Sequence, residues 1–216
     1  MKKILLYVFI LLIAVACNEK EDNTNADQYS FVQLSEISLE ASILIEKASD
    51  YEVMQLSEFD FEVVYSDVTI SKETTHESIQ NALGYPEDYY YNNKGNISTA
   101  NGYRRWELSY PDYSDPVVRV IFLSKQEVDE NGNEYYGDTY IVGVSMLNIE
   151  TYRGLKVGDT VESVLELYGQ PAIIQEYRAN QDYIELVYTD SDKKLEVVLD
   201  RTCSEVWYMF LDYRME

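Results

Sequence analysis

The sequence predicts an α+β fold built from two tandem repeats. In each repeat a helix is followed by a three-stranded antiparallel meander, so that the helices pack on one face of a sheet and the other face stays open. Two observations predict this fold. Several blocks of the 216-residue chain recur in the same order, and within each block a helical period of apolar residues is followed by strand-like alternation. The repeats are assigned to residues 66–147 and 148–216.

The chain begins with the pattern of a secretory signal peptide, which we assign to residues 1–16. Residues 1–3 include two lysines, and residues 4–16 are apolar apart from the hydroxyl group of Tyr7. A basic start followed by a short apolar stretch is typical of an export signal. The stretch is too short to span a bilayer, which takes about 20 apolar residues. We therefore predict that the chain is exported.

A lipid anchor is predicted at Cys17. This cysteine directly follows three small residues, Ala14, Val15 and Ala16, and the arrangement resembles a bacterial lipobox, in which the cysteine becomes the lipidated N-terminus. Residues 17–29 are polar apart from isolated side chains, so we predict a lipidated, disordered leash. The predicted location is the bacterial cell envelope, with the lipid in the outer membrane and the domain facing the periplasm or the cell surface. An ordinary signal peptide with a chance cysteine is the alternative.

Residues 30–65 are expected to form an N-terminal helix and then an edge strand. The helix is indicated by an apolar stripe at helical spacing, and the strand by alternation of large apolar residues. The stripe consists of Ile37, Leu39, Ile43, Leu44, Ala48 and Tyr51, and the alternating residues are Phe59, Phe61, Val63 and Tyr65.

Each repeat then starts with a helix whose two ends are marked in the sequence. Thr75 and Thr160 are expected N-caps, because a threonine hydroxyl accepts a hydrogen bond from a backbone N–H of the first turn. Gly84 and Gly169 are expected to end the helices in a left-handed conformation, and a proline stands two residues after each glycine. The two helices align at an offset of 85 residues.

Three strands are predicted after each helix, from side chains that alternate with period two. The residues expected to point towards the helices are Trp106, Leu108, Tyr110, Val118, Val120 and Phe122 in the first repeat, and Ile184, Leu186, Tyr188, Leu195, Val197 and Leu199 in the second. The third strands are placed at residues 140–146 and 206–210. Val206 and Tyr208 are assigned to the helix-covered side and Trp207 to the open side.

The start of the second repeat resembles a known family. Residues 154–164 read Gly-Leu-Lys-Val-Gly-Asp-Thr-Val-Glu-Ser-Val, and residues 168–171 read Tyr-Gly-Gln-Pro. This motif resembles the β-lactamase-inhibitor-protein-like domains, and the outer-membrane assembly lipoprotein family BamE (SmpA/OmlA) has a similar one. The resemblance implies two repeats whose strands join into one concave sheet, and lipid anchoring is typical of the BamE family. The first repeat departs from the motif, because residues 70–73 lack both glycines.

Composition excludes several classes of function. The chain holds 39 acidic and 17 basic residues, for a formal charge of −22, and such a field repels nucleic acid. Apart from Cys17 the only cysteine is Cys203, so no intramolecular disulfide is expected once Cys17 is lipidated. The single histidine, His76, aligns with the apolar Val161 and is expected to pack rather than to catalyse. We predict no cofactor, no metal site and no enzymatic activity.

The predicted binding surface combines the open sheet face with a tyrosine-rich rim. Tyrosine, with 21 residues, provides large contact areas and a hydrogen-bonding tip, although strand interiors also favour it. The sheet residues of the surface are Glu107, Arg119, Ile121, Glu185, Val198, Trp207 and Met209, and the rim residues are Tyr89, Tyr90, Tyr91, Tyr135 and Tyr136.

The sequence therefore predicts a non-enzymatic, lipid-anchored envelope protein that binds a protein partner through this surface. The alternative is that the same surface binds a glycan or a small envelope ligand. An enzyme ranks third, because carboxylate pairs are too frequent in so acidic a chain to indicate a glycosidase.

Overall fold

The computed structural model describes residues 39–86, 98–100, 102–177, 183–200 and 205–213. Helix α1 spans Leu39–Ala48, and a short 3-10 turn spans Glu58–Phe61. A hairpin of strands β1 (Val63–Tyr65) and β2 (Val68–Ile70) precedes helix α2 (His76–Leu83). The next strands are β3 (Ser98–Ala100), β4 (Tyr103–Tyr110), β5 (Val118–Val128) and β6 (Glu134–Met146). Helix α3 (Val161–Tyr168) is followed by β7 (Ile173–Glu176), β8 (Tyr183–Asp190), β9 (Lys193–Asp200) and β10 (Val206–Tyr213).

The predicted fold class is wrong. The described chain is mostly β, with one antiparallel sheet of eight strands, a separate two-stranded sheet and three α-helices, and not two units of a helix and a three-stranded meander. The strand order is β3-β4-β5-β6-β10-β9-β8-β7, so β6 and β10 join all eight strands into one sheet. The sequence pattern missed β3 and β7, because strands of three or four residues are too short for alternation to show.

The core lies on one face of the eight-stranded sheet, and the alternation of β4, β5, β8 and β9 was predicted correctly. Leu108, Val120, Leu186 and Val197 are fully buried on this face, which we call the core face. The three helices and the β1–β2 hairpin supply the other side of the same apolar cluster, through residues such as Leu44, Ile70, Ile79 and Leu165. Amphipathic elements gain stability by burying their apolar sides against each other in this way.

The ends of α2 and α3 confirm the predicted N-caps and the positive φ of the two glycines. Thr75 accepts a hydrogen bond from the Ser78 N–H, and Thr160 accepts one from the Ser163 N–H. Gly84 and Gly169 both have a positive φ of 71°, as predicted, but their ψ angles of −165° and −152° lie outside the left-handed helical region. Two tyrosines of the sheet then bond to these ends: the Tyr110 hydroxyl donates to the Gly84 carbonyl, and the Tyr188 hydroxyl to the Gly169 carbonyl.

The N-terminal segment differs from its prediction in two respects. Residues 63–65 do not form an edge strand of the main sheet, because they pair with β2 through a two-residue turn, Ser66-Asp67, in which both φ angles are positive. Part of the predicted strand, Glu58–Phe61, is a 3-10 turn. Helix α1 does form, but it buries Ala41, Leu44 and Ala48, whereas Ile43 is 57% exposed.

A buried ion pair fixes this segment to the rest of the domain. Arg153 donates two hydrogen bonds to the carboxylate of Asp60, at 2.6 and 2.7 Å, and further bonds to the carbonyls of Leu167 and Gln55. The Arg153 guanidinium also lies 5.0 Å from the centre of the Tyr168 ring. One arginine therefore joins the segment before β1 to the C-terminal turn of α3.

The predicted signal peptide, Cys17 and the leash lie outside the described residues. Within the residues that the structure does describe, we find no helix with the length and apolar character that crossing a bilayer requires.

Candidate functional site

The candidate site lies on the face of the eight-stranded sheet that is opposite to the core face, and we call it the second face. No described helix packs on it. The strand register places Glu107, Arg119, Glu185 and Val198 on this face, as predicted, together with Ile121. Trp207 also lies here, where its ring stacks on that of Tyr183 at 4.4 Å between centroids.

Two assignments on β10 are wrong. Met209 belongs to the core face, where it is fully buried, and Tyr208 belongs to the second face, where it pairs with Val198. The cause is a register shift between Val206 and Tyr208, at which Trp207 is the extra residue. A bulge of this kind moves every later side chain to the opposite face, and an alternation count along one strand cannot detect it.

Several residues of the predicted surface are less accessible than expected. Ile121 and Val198 are buried although they lie on the second face, and Glu185 is only 4% exposed. Tyr135 lies within strand β6 and not on a loop, although its side chain is exposed. Tyr89, Tyr90 and Tyr91 lie outside the described residues. The accessible part of the predicted surface is therefore centred on Trp207, which is 50% exposed.

Aromatic side chains form a row on the second face. The rings of Trp207 and Tyr208 lie 6.1 Å apart, and those of Tyr208 and Phe210 lie 6.4 Å apart. The Phe210 ring covers Gly143 of β6, where a Cβ atom would come within 2.3 Å of the ring. Glycine is therefore required at this point of the strand, because the ring occupies the space of a side chain.

The first hairpin of the second face, β4–β5, holds an ion pair. Arg119 lies 3.5 Å from the carboxylate of Glu107 and donates a hydrogen bond to the Ser109 hydroxyl. Both charges are partly shielded from water, with 29% of the Arg119 side chain and 11% of the Glu107 side chain exposed. The negative charge of Glu107 and the positive charge of Arg119 therefore neutralise each other within this hairpin.

The second hairpin, β8–β9, places two acids where the first has an acid and a base. Glu107 pairs with Ile121 and Arg119 with Ser109 in β4–β5; Glu185 pairs with Val198 and Glu196 with Val187 in β8–β9. Glu185 and Glu196 are therefore diagonal neighbours, in the same relation as Glu107 and Arg119. The amide of Gln175 donates a hydrogen bond to Glu185.

Glu196 is hydrogen-bonded to Glu185, and its acidity is changed mainly by burial. Its burial, then the charges of Glu185 and Asp212, raise the pKa of Glu196 to about 7, although Lys194 opposes the shift. The neighbouring carboxylate of Glu185 disfavours the ionised form of Glu196. At neutral pH Glu196 is therefore partly protonated.

The groups around this pair are mostly acidic or aromatic. The second face of strands β7–β10 carries four carboxylates, on Glu185, Glu196, Asp200 and Asp212, but a single basic residue, Lys194. Lys194 lies 3.9 Å from Glu196 and 3.5 Å from Asp212. Burial, followed by the charges of Glu185 and Glu196, raises the pKa of Tyr177. The hydroxyl of Tyr208 lies 2.7 Å from that of Ser145.

Sequence reasoning missed Glu196, Tyr183 and Tyr208 as members of the site. The sequence did contain a signal for Glu196. When the two hairpins are aligned, Glu196 is equivalent to Arg119 of the first hairpin. Tyr208 could not be found, since its face depends on the bulge. The expectation for His76 agrees with the structure, where its ring packs edge-on against Trp106 and Phe122 and burial lowers its pKa.

The comparisons with known proteins give weak likenesses. No family model and no curated protein matches the chain. Among solved structures, a DUF4309 family protein, YjgB, of Bacillus subtilis is 14% identical, with 81% of this chain and 95% of that chain covered and a TM-score of 0.38. An extracellular SCP-domain protein of Bacillus anthracis is 13% identical, with 75% and 49% covered and a TM-score of 0.40.

A cysteine-rich secretory protein of Staphylococcus aureus is 12% identical, with 64% of this chain and 43% of that chain covered and a TM-score of 0.37. The chain thus spans less than half the length of the two secretory or extracellular proteins. At TM-scores of 0.40 and below, the likenesses carry no argument about fold or mechanism. The resemblance to the β-lactamase-inhibitor-protein-like and BamE families stays a prediction.

Proposed function

We propose that this chain is a lipid-anchored protein of the bacterial cell envelope that binds a partner protein through the second face of its sheet and has no catalytic role. The observation that carries the proposal is Trp207. Its ring is half exposed and stacks on Tyr183, on a face of hydrogen-bonded strands against which none of the described helices packs. Exposed tryptophans that are braced by neighbours are enriched among the residues that dominate protein interfaces.

The surroundings of Trp207 support a protein interface. Tyr208 and Phe210 continue the aromatic row, and acids and Lys194 surround it. Protein interfaces combine such an aromatic centre with a polar rim. The side chains stand on strands, which hold contact residues more firmly than loops do.

The same stacked rings also favour a second candidate, a glycan. Glu185 lies two positions after Tyr183 on the same face, and Gln175 pairs with Glu185, so hydrogen-bonding groups lie beside the stacked rings. A sugar ring offers both an apolar face and hydroxyls that match them. A glycosidase is disfavoured by the same geometry. Glu185 and Glu196 are hydrogen-bonded to each other, whereas a hydrolytic pair keeps its carboxyls about 5 Å or more apart.

A pocket for a small ligand receives less support. A groove of about 180 Å³ lies between α1 and the ends of β8 and β9, lined by residues that include Ile43, Leu44, Val161 and Ile184. Small-molecule sites usually enclose about 300–1,000 Å³.

The test is a capture experiment with the purified, detergent-solubilised protein as bait and solubilised envelope as the source of partners. We expect one stoichiometric protein to be retained. Trp207→Ala should weaken its binding by about 2 kcal/mol or more while leaving the free energy of unfolding nearly unchanged. The matched control is Tyr152→Ala, because Tyr152 is also exposed and stacked, on Phe59, but lies outside the second face.

Equal affinity of Trp207→Ala and the unmodified protein would place the interface elsewhere. Retention on immobilised glycans, with no protein captured, would favour the glycan candidate.

A further inference from the structure

The inference concerns the chemistry of the partner, and it rests on the proposed function of the second face. Its starting point is the difference between the two hairpins. The carboxylate of Glu107 has an arginine as its diagonal neighbour, whereas the carboxylate of Glu185 has a second carboxylate in the same place.

We propose that the second face of strands β7–β10 binds an arginine or lysine side chain of the partner protein, which takes beside Glu185 and Glu196 the role that Arg119 has beside Glu107. The partner's cation lies over the exposed side of Trp207 and pairs with Glu196. The first hairpin shows that this sheet geometry accommodates a guanidinium against a glutamate.

Charge favours a basic partner segment. Four carboxylates face a single lysine on this part of the second face, and that lysine is already within 4 Å of two of them. The whole chain adds to this field with its formal charge of −22. Such a field attracts basic segments and repels acidic ones, which raises the rate of encounter and selects among partners.

The aromatic residues add a second attraction. One face of the Trp207 ring is covered by Tyr183, and half of the side chain remains exposed to solvent. Tyr183 pairs with Asp200 and precedes Glu185 by two positions on the same face. A cation that lies over the free ring face is therefore flanked by carboxylates, and indole is the strongest cation–π partner among side chains.

Accessibility excludes Glu185 as the direct contact, and position selects Glu196, its diagonal neighbour on the second face. Glu185 is almost fully buried, but 19% of the Glu196 side chain and 32% of the Asp212 side chain are exposed. A cation at Glu196 stabilises the ionised form of this glutamate, so its proton leaves when the partner binds.

Binding is therefore coupled to pH. The groups that face Glu196 are Glu185 from β8, Asp212 and Tyr208 from β10, Lys194 from its own strand, and Tyr177 beyond β7. Of these interactions, burial and the two acids dominate and hold the pKa of Glu196 near 7. Below that pH the site is occupied by a proton, and above it the site is free for the cation.

The test uses a synthetic peptide with capped ends that contains two arginines among glycines, titrated into the full-length protein at 0.15 M salt. We expect about tenfold tighter binding at pH 8 than at pH 5.5, since one proton is displaced. The matched probe carries citrulline in place of arginine and should not bind. Calorimetry in two buffers of different ionisation enthalpy should show proton release at pH 6.5.

Variants separate this site from the general charge of the protein. Glu196→Gln should lose the pH dependence and weaken peptide binding about tenfold. Glu196→Arg should abolish binding, because the introduced arginine takes the place of the peptide's cation beside Glu185. Glu150→Gln removes the same charge at an exposed position and should bind the peptide like the unmodified protein. Thermal unfolding checks that each variant is folded.

The proposal is overturned if Glu196→Gln and Glu150→Gln behave alike, if Glu196→Arg still binds the peptide, or if affinity is the same at both pH values. A different result would separate the two proposals. If Trp207→Ala loses a captured partner but the arginine peptide does not bind the unmodified protein, the protein-binding function is supported and the proposal of a basic partner is wrong.

Discussion

At the scale of single residues, Glu196 couples the stability of the fold to pH. A carboxyl whose pKa is higher in the folded state than in the unfolded chain binds more protons when folded. For Glu196 the ordinary value of 4.5 rises to about 7 in the fold. The stabilisation is therefore complete below pH 4.5 and is lost as the pH rises towards 7.

We expect Glu196→Gln to be more stable than the unmodified protein at pH 8, by on the order of 1–3 kcal/mol, and to lose part of the decline in stability between pH 4.5 and 7. Urea unfolding at a series of pH values measures both effects. Glu150→Gln serves as the control for the loss of one charge from an acidic protein. Identical pH profiles for the two variants would show that Glu196 ionises freely.

Two glycines with the same conformation differ in their surroundings. Gly84 and Gly169 both have φ of 71°, but a Cβ at Gly84 would meet nothing within 4 Å, whereas one at Gly169 would lie 2.2 Å from the carbonyl oxygen of Glu52. Gly84→Ala should therefore cost about 1–3 kcal/mol, because its combination of positive φ and extended ψ is adopted almost only by glycine. Gly169→Ala should cost clearly more, because the backbone near Glu52 must move. Chemical denaturation of the two variants measures the difference, and equal losses would mean that residues 52–54 do not pack on α3.

At the scale of elements, the ion pair between Asp60 and Arg153 attaches the residues before β1 to the domain. Burial alone would raise the pKa of Asp60, but the hydrogen bonds from Arg153 and Ser57 outweigh burial and hold it below its ordinary value of 3.8. The pair therefore stabilises the domain above about pH 4, and its contribution is lost as the pH falls below that value. This position of Arg153 was not predicted, since no periodicity relates residues 60 and 153.

Asp60→Ala should destabilise the domain by about 3–5 kcal/mol, because it leaves the Arg153 charge without its carboxylate in a largely buried place. The exposed pair of Lys47 and Glu162 is the matched comparison, with 35% and 50% of the two side chains exposed. Glu162→Gln should cost less than about 1 kcal/mol. Comparable losses from the two changes, by urea unfolding at pH 7, would contradict the structural role of Asp60.

The elements also show which parts of the fold a sequence can predict. The helix ends at Thr75, Gly84, Thr160 and Gly169 were predicted because capping depends on neighbouring residues alone. The alternation of β4, β5, β8 and β9 was predicted because one face of each strand is buried. The bulge at Trp207 was not, because an extra residue leaves no local mark. The bulge determines which face Met209 and Tyr208 occupy, so the part of the site that β10 contributes was assigned wrongly.

At the scale of the whole molecule, the net charge of −22 and the predicted anchor have opposite effects on membrane contact. Anionic lipid heads repel the domain, so the proposed attachment would depend on the acyl chains at Cys17. We expect Cys17→Ser to release the protein from the membrane pellet into the soluble fraction, since stable anchoring takes more than one acyl chain. Fractionation after a carbonate wash measures this, and a variant that stays in the pellet would show that another contact holds it.

The junction between β6 and β10 determines how the domain tolerates truncation. Only four residue pairs connect these strands, from Met209 with Met146 to Asp212 with Gly143, yet they unite the two four-stranded halves of the sheet. A fragment that ended after β6 would leave this strand as a free edge, with the apolar side chains of Val144 and Met146 uncovered. Unpaired edges of this kind recruit other chains. Either half made alone should therefore self-associate into aggregates. In the native chain the short pairing between β6 and β10 covers both edges and so prevents this aggregation.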